Sequence, residues 1–207
     1  MVEKRNSEFR SDALAKLKGN WIRATLCCAI CFATFMVIAM ILVEIAPNAS
    51  FPILGTLMTY MLSVYFYKLT CGRISGGVFS EMLGSKGDGD WFFAYWLADI
   101  FTALWALLLI VPGIVKHYSY AMTLYVAMDK GLKGNAAINE SMRIMKGHRM
   151  RLFKMDVFFY ILSMLSVLTF GVAMFWIYPW WKVSKANFYL DLKSLEAEQP
   201  VLAGVAE

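Results

Sequence analysis

NESMRIMKGHRMRLFK, residues Asn139–Lys154, is the stretch whose reading decides the fold. It carries Arg143, Lys146, Arg149, Arg151 and Lys154, with His148 among them, and long apolar runs lie on both sides. A cationic segment between apolar runs marks the side of a membrane on which it stays. Met142, Met145 and Met150 recur near helical spacing. The segment is therefore expected to be an amphipathic basic helix at the cytoplasmic membrane surface. Two roles are open to it. It is either a solvated connecting helix that holds topology, or a lipid- or partner-binding site built from Arg143, Lys146, His148, Arg149 and Arg151.

Of the 207 residues, 59% are hydrophobic and 17% charged. Soluble domains lie nearer half apolar and about a quarter charged. With several apolar runs near spanning length, the expected class is all-α, a polytopic membrane helical bundle. The net charge of +5 sits beside apolar runs, where retention in the cytoplasm explains it without nucleic acid. Cys27, Cys28 and Cys31 form CCxxC inside the first apolar run, and Cys71 stands apart. No His or second cysteine pair accompanies them at zinc-ligand spacing. They read as small buried residues, with palmitoylation of Cys27 or Cys28 as the alternative.

Residues 1–20 form a polar, basic lead in which Phe9, Ala13, Leu14, Leu17 and Trp21 fall near one helical face. A short interfacial helix is expected there. The membrane domain then covers residues 21–193, in about six spans and three hairpins: 21–46, 52–70, 91–111, 114–128, 152–168 and 172–192. The turn at Pro47–Ser50 carries no Lys or Arg and is expected outside. Residues 71–90 hold six glycines without a P-loop or GxGxxG pattern, so a flexible cytoplasmic loop is expected. Pro112-Gly113 interrupts a run too long for one span and reads as a tight hairpin, or else as a kink. Thr169-Phe170-Gly171 reads as a second such hairpin, which returns Lys182, Lys185 and Lys193 to the cytoplasm with both termini. Pro179 should bend the last span. Residues 194–207 read as a disordered tail.

Three intramembrane polar residues stand out: Asp99, Asp156 and Lys116. Asp99 and Asp156 each lie on the leading helix of a hairpin, and Lys116 can snorkel to the outer surface. Asp99 is expected to meet Lys154 or a hydroxyl such as Ser119 or Thr123.

VPGIVKHYSYAMTLYVAMD, AAINESMRIMKGHRMRLF and LTFGVAMFWIYPWWKVSKANFYLDL form an ordered set of motifs. The set resembles the bacterial integral-membrane family of unknown function numbered 975, itself distantly like the membrane domain of some glycerophosphodiester phosphodiesterases. The matching residues are Pro112, Gly113, Ser141, Met145, Gly147, His148, Arg149, Leu168, Thr169, Gly171, Pro179, Phe188 and Tyr189. Trp180 replaces the usual Tyr after Pro179. The resemblance implies a multi-span protein of the bacterial cytoplasmic membrane and supplies no activity, catalytic residue or cofactor.

No HExxH, GxSxG or paired-carboxylate motif occurs, so no catalytic residue, metal or cofactor is assigned. The leading expectation is a non-enzymatic binding or scaffold protein. Its partners would be membrane lipids, anionic ones among them, a membrane protein, or further copies of itself. The alternative is an oligomeric transporter of small molecules or amphiphiles, suggested by the repeated broken hairpins.

Overall fold

The computed structural model describes residues 5–45, 50–74, 88–108, 110–169 and 171–203, and every regular element in them is helical. In chain order these are α1 (Asn6–Leu17), α2 (Trp21–Ile45), α3 (Ser50–Thr70), α4 (Asp88–Leu108), α5 (Ile110–Tyr120), α6 (Thr123–Lys130), α7 (Gly134–Ile144), α8 (Arg149–Leu165) and α9 (Met174–Ala203). A short 3-10 turn, Ser166–Thr169, follows α8. The chain folds into two compact units, each assembled from separated stretches. The expected outer turn at Asn48 and most of the glycine-rich loop lie outside the described residues.

One unit holds α2, α3, most of α1, the end of α8 and the start of α9. Its core sets Cys27, Cys28 and Cys31 against Leu62, Tyr65 and Phe66, with Ala13 and Leu17 of α1 and Val183 of α9. The cysteines are buried free thiols, and they serve here as small side chains that let helices approach. Phe159 meets Trp180 edge-on at 5.2 Å and stacks on Trp181 at 5.9 Å. The Trp180 indole donates to the Arg10 carbonyl at 2.9 Å, and the Arg10 guanidinium lies over Phe158. Thus α1 is packed into protein along Ala13 and Leu17, while Leu14 stays exposed.

The other unit holds α4–α7, the first turns of α8 and the second half of α9. Ala94, Ala127 and Ala137 form one small-residue contact among α4, α6 and α7. Ala98, Tyr120 and Ile138 form another, flanked by Phe101 and Met142. The turn expected at Pro112-Gly113 is instead part of a helix. Because α4 ends at Leu108 and α5 begins at Ile110, Pro112 lies in the first turn of α5. A helix tolerates Pro there because its missing N–H would have no partner. The two helices pack along each other, which one kinked helix would not do.

Three expectations need correction. The run 114–128 is two helices, broken at Ala121-Met122. No Pro or Gly causes this break. Ser119 and Thr123 instead turn their hydroxyls back onto the Val115 and Tyr120 carbonyls at 2.7 Å, a local bond that competes with regular helix. Second, the basic segment is not one amphipathic helix. Helix α7 stops at Ile144, residues 145–148 form a turn with Gly147 at φ 90°, and α8 begins at Arg149. Third, the tail is not irregular from residue 194, since α9 runs on to Ala203. It also passes through buried Pro179 without interruption.

Among the described residues, two helical segments are long and apolar enough to cross a membrane, Trp21–Ile38 and Arg149–Thr169. Only 22% and 28% of these windows are buried inside the protein. At about 1.5 Å per residue, α5 and α6 alone reach roughly 16 Å and 12 Å, short of the roughly 30 Å hydrocarbon core. Gly171 lies in a turn, with φ 82° and its N–H bonded to the Ser166 carbonyl at 3.0 Å.

Both turn glycines leave open space for a Cβ, so only their backbone conformation resists substitution. Gly147→Ala is expected to lower stability by about 1 kcal/mol. Gly55→Ala, inside α3 with no atom near the new methyl, should raise it by up to about 1 kcal/mol. Unfolding in a mild detergent reads both, and equal signs would refute the assignment.

Candidate functional site

The polar residues of the second half of α9 form a ladder of contacts. Lys185 meets Asp156 of α8 at 3.0 Å, with the carboxylate 1% exposed. Four residues on, the Tyr189 hydroxyl donates to Asp129 at 3.0 Å, and Lys193 reaches the same carboxylate at 2.6 Å. Asp191 accepts from Arg151 at 3.2 Å. The Arg151 guanidinium lies over the rings of Phe9 and Phe188, which meet edge-on at 5.4 Å. Asn6 closes this corner with a 3.0 Å bond to the Arg151 carbonyl.

Glu196 completes a four-charge cluster. Lys130 lies 2.6 Å from Glu140 and 3.1 Å from Glu196. Arg143 grips Glu140 through two nitrogens, each at 2.7 Å, and also pairs with Glu196. Two cations and two anions close on themselves. The forked bond from Arg143 is the largest cause that holds the Glu140 carboxyl down at about 2. Burial opposes ionisation of Glu196, yet the bonds from Arg143 and Lys130 win and hold its carboxyl below the usual range. Arg143 is held upward by the same two carboxylates. Arg143 remains more than half exposed, so water screens much of the cluster's energy.

The basic residues singled out in the sequence therefore divide. Arg143 and Arg151 are consumed in ion pairs within the fold. His148 sits against Arg151, its Nδ1 3.3 Å from a guanidinium nitrogen. Lys146 and Lys154 are exposed and make no ion pair among the described residues. Arg149 is half-buried, and its Nε finds no hydrogen-bond acceptor among them. These three cations surround the Gly147 turn and the N-terminus of α8, which carries the positive end of that helix's dipole.

The intramembrane residues divide as well. Asp156 has Lys185, a partner the sequence reading missed. Lys116 lies 5.0 Å over Trp105 and 5.8 Å over Tyr120, a cation held by aromatic faces. Asp99 is half-buried on α4. Ser119 and Thr123 are not its hydroxyl donors, because each gives its proton to its own backbone. Ser141 donates to the Ser119 carbonyl at 2.9 Å, which ties α7 to the end of α5.

The model of a family described as protein of unknown function (DUF975) matches residues 74–196, more than half of the chain. The chain belongs to this family. Within this DUF975 chain, the match takes in α4–α8 and carries α9 as far as Glu196, the residue that closes the four-charge cluster. No curated protein and no solved structure matches the chain.

The depressed Glu140 carboxyl gives a pH dependence of defined sign. Its pairing stabilises the fold fully above the ordinary carboxylate value near 4.5, and this contribution fades as pH falls towards about 2. Glu140→Gln should therefore be less stable than the parent above that window, and the gap should close within it. A gap that is constant with pH would show that the carboxylate charge is not the source.

Proposed function

We propose that this DUF975 chain is a multi-pass protein of the cytoplasmic membrane with a non-enzymatic binding role. The turn at Gly147 and both termini lie on the cytoplasmic side. In this reading three hairpins enter the membrane: α2 with α3, α4 with α5 and α6, and α8 with α9. The observation that carries it is the division of the basic segment. Arg143 and Arg151 are matched by carboxylates, whereas Lys146, Arg149 and Lys154 are left together at the start of α8. Beyond them α8 exposes Ile161, Met164 and Leu165. A cationic collar at the foot of an apolar exposed helix suits an anionic headgroup layer.

A second reading, an oligomeric transporter of small molecules or amphiphiles, is favoured by the broken α5–α6 helix. Breaks of this kind border substrate sites in transporters.

Each basic side chain near an anionic surface contributes on the order of 1 kcal/mol. Replacing Lys146, Arg149 and Lys154 together by Gln should cut the phosphatidylglycerol retained by the detergent-purified protein, with affinity falling roughly a hundredfold. Arg143→Gln should lower stability and leave lipid retention near the parent. Unchanged retention in the triple variant would reduce the turn to a topological marker. For topology, the four native cysteines are replaced and single ones introduced. Lys146→Cys should react only from the cytoplasmic side and Asn48→Cys only from outside; the reverse pattern overturns the orientation.

A further inference from the structure

Within one unit, α2, α3 and the start of α9 form an apolar crevice of about 470 Å³ that the surface-binding reading does not use. Each helix lines it with a pair of residues four apart: Cys28 and Phe32 of α2, Met58 and Leu62 of α3, Met174 and Tyr178 of α9. Residues at that spacing lie on one stripe of a helix face, so the crevice follows the helices for at least a turn. Phe175 also lines it and meets Phe32 edge-on at 6.1 Å. No charged side chain lines the crevice, and its polar side chains are a thiol and a phenol.

Gly171 and Val172 stand at the mouth. Val172 is about half exposed, and a methyl group added at Gly171 would meet open space. Phe32 is also about half exposed, and it belongs to Trp21–Ile38, one of the segments long and apolar enough to cross a membrane. Met36, one turn further along α2, is exposed to the same degree. The crevice is therefore continuous with the apolar outer face of α2. Its walls offer water nothing to bond, so it stays dry when empty. Atoms around a void forfeit dispersion contacts, and hydrocarbon restores them. The volume lies within the roughly 300–1,000 Å³ of ligand pockets.

We propose that this crevice holds one acyl chain of a bilayer phospholipid, laid from the mouth at Gly171 towards Tyr178, with the headgroup outside. The unbranched thioethers of Met58 and Met174 adapt to such a chain. The walls grip the chain and are indifferent to the headgroup, because no charge lines them. The proposal rests on the membrane location in the reading above and uses none of the residues of its cationic turn. In that reading the α8–α9 turn faces outwards, so the lipid comes from the outer leaflet.

The full chain is reconstituted in neutral phosphatidylcholine that carries a diazirine at the end of one acyl chain. It is extracted in dodecyl maltoside, washed free of loose lipid and irradiated, and mass spectrometry maps the adducts. A single adduct is expected, within 28–32, 58–62 or 171–178. Phosphatidylglycerol with the same chain should label these positions equally. Cys28→Phe and Val172→Trp, which put bulk into the crevice and its mouth, should each lower the yield about tenfold. Met164→Trp, on the exposed face of α8, should leave it unchanged, as should Gln at Lys146, Arg149 and Lys154 together. Helical content and elution volume check each variant. If neither crevice variant folds, the adduct positions on the parent chain decide. Labelling of Ile161 and Met164 as strong as in the crevice overturns the proposal, as does dependence on the turn cations. A dimer with an unlabelled crevice assigns the site to a second copy and overturns it too. Release of the chain from membranes by alkaline carbonate defeats the membrane reading and this proposal together. An unlabelled crevice in a chain that resists carbonate defeats this proposal alone.

Discussion

A carboxylate that is 1% exposed needs a cation, and Asp156 finds Lys185 at 3.0 Å. Removing one partner of such a buried pair typically costs about 3–5 kcal/mol, because the other charge is left without compensation. The pair therefore works as a register pin between α8 and α9. With Lys185 on Asp156, the later residues of α9 come to Arg151, Asp129 and the Lys130–Glu140–Arg143 group in turn. A rotation of α9 by one residue would turn each of these side chains about 100° away. The apolar contacts alone tolerate more slippage than the charges do.

Small side chains do the complementary work. Cys27, Cys28 and Cys31 in one unit, and Ala94, Ala127 and Ala137 in the other, are buried where helices meet. Interfaces of this kind are common where helices associate in lipid, since close backbone approach replaces the hydrophobic driving force that water would provide. The CCxxC pattern is thus explained by packing geometry.

Length and apolarity made the helices legible, Pro112 marked a helix start, and Gly171 marked a turn. The break inside the basic segment was harder to see. Met142, Met145 and Met150 keep nearly helical spacing across it, so the period ran smoothly over a real turn. Gly147 between charged residues was the available signal, as the left-handed position after a helix end. The break at Ala121-Met122 has no such marker, because serine and threonine hydroxyls and a contact from Ser141 shape it. In the site, the cations were legible and their partners were not. Glu140 lies one turn from Arg143 and could have been paired by spacing, but Asp191 and Glu196 lie far along the chain from the arginines they meet. Glu196 was also hidden by a polar composition that suggested an irregular tail.

The discontinuous make-up of the α4–α7 unit bears on how the chain is made. Helices α4–α7 and the start of α8 leave the ribosome well before the second half of α9 does. Until α9 arrives, Arg151, Asp156 and the Lys130–Glu140–Arg143 group lack the partners that α9 brings. During that interval Arg151 lacks its Asp191 partner, and Arg143 has Glu140 alone. The basic segment is therefore most cationic during synthesis, and part of that charge is matched once the final helix docks.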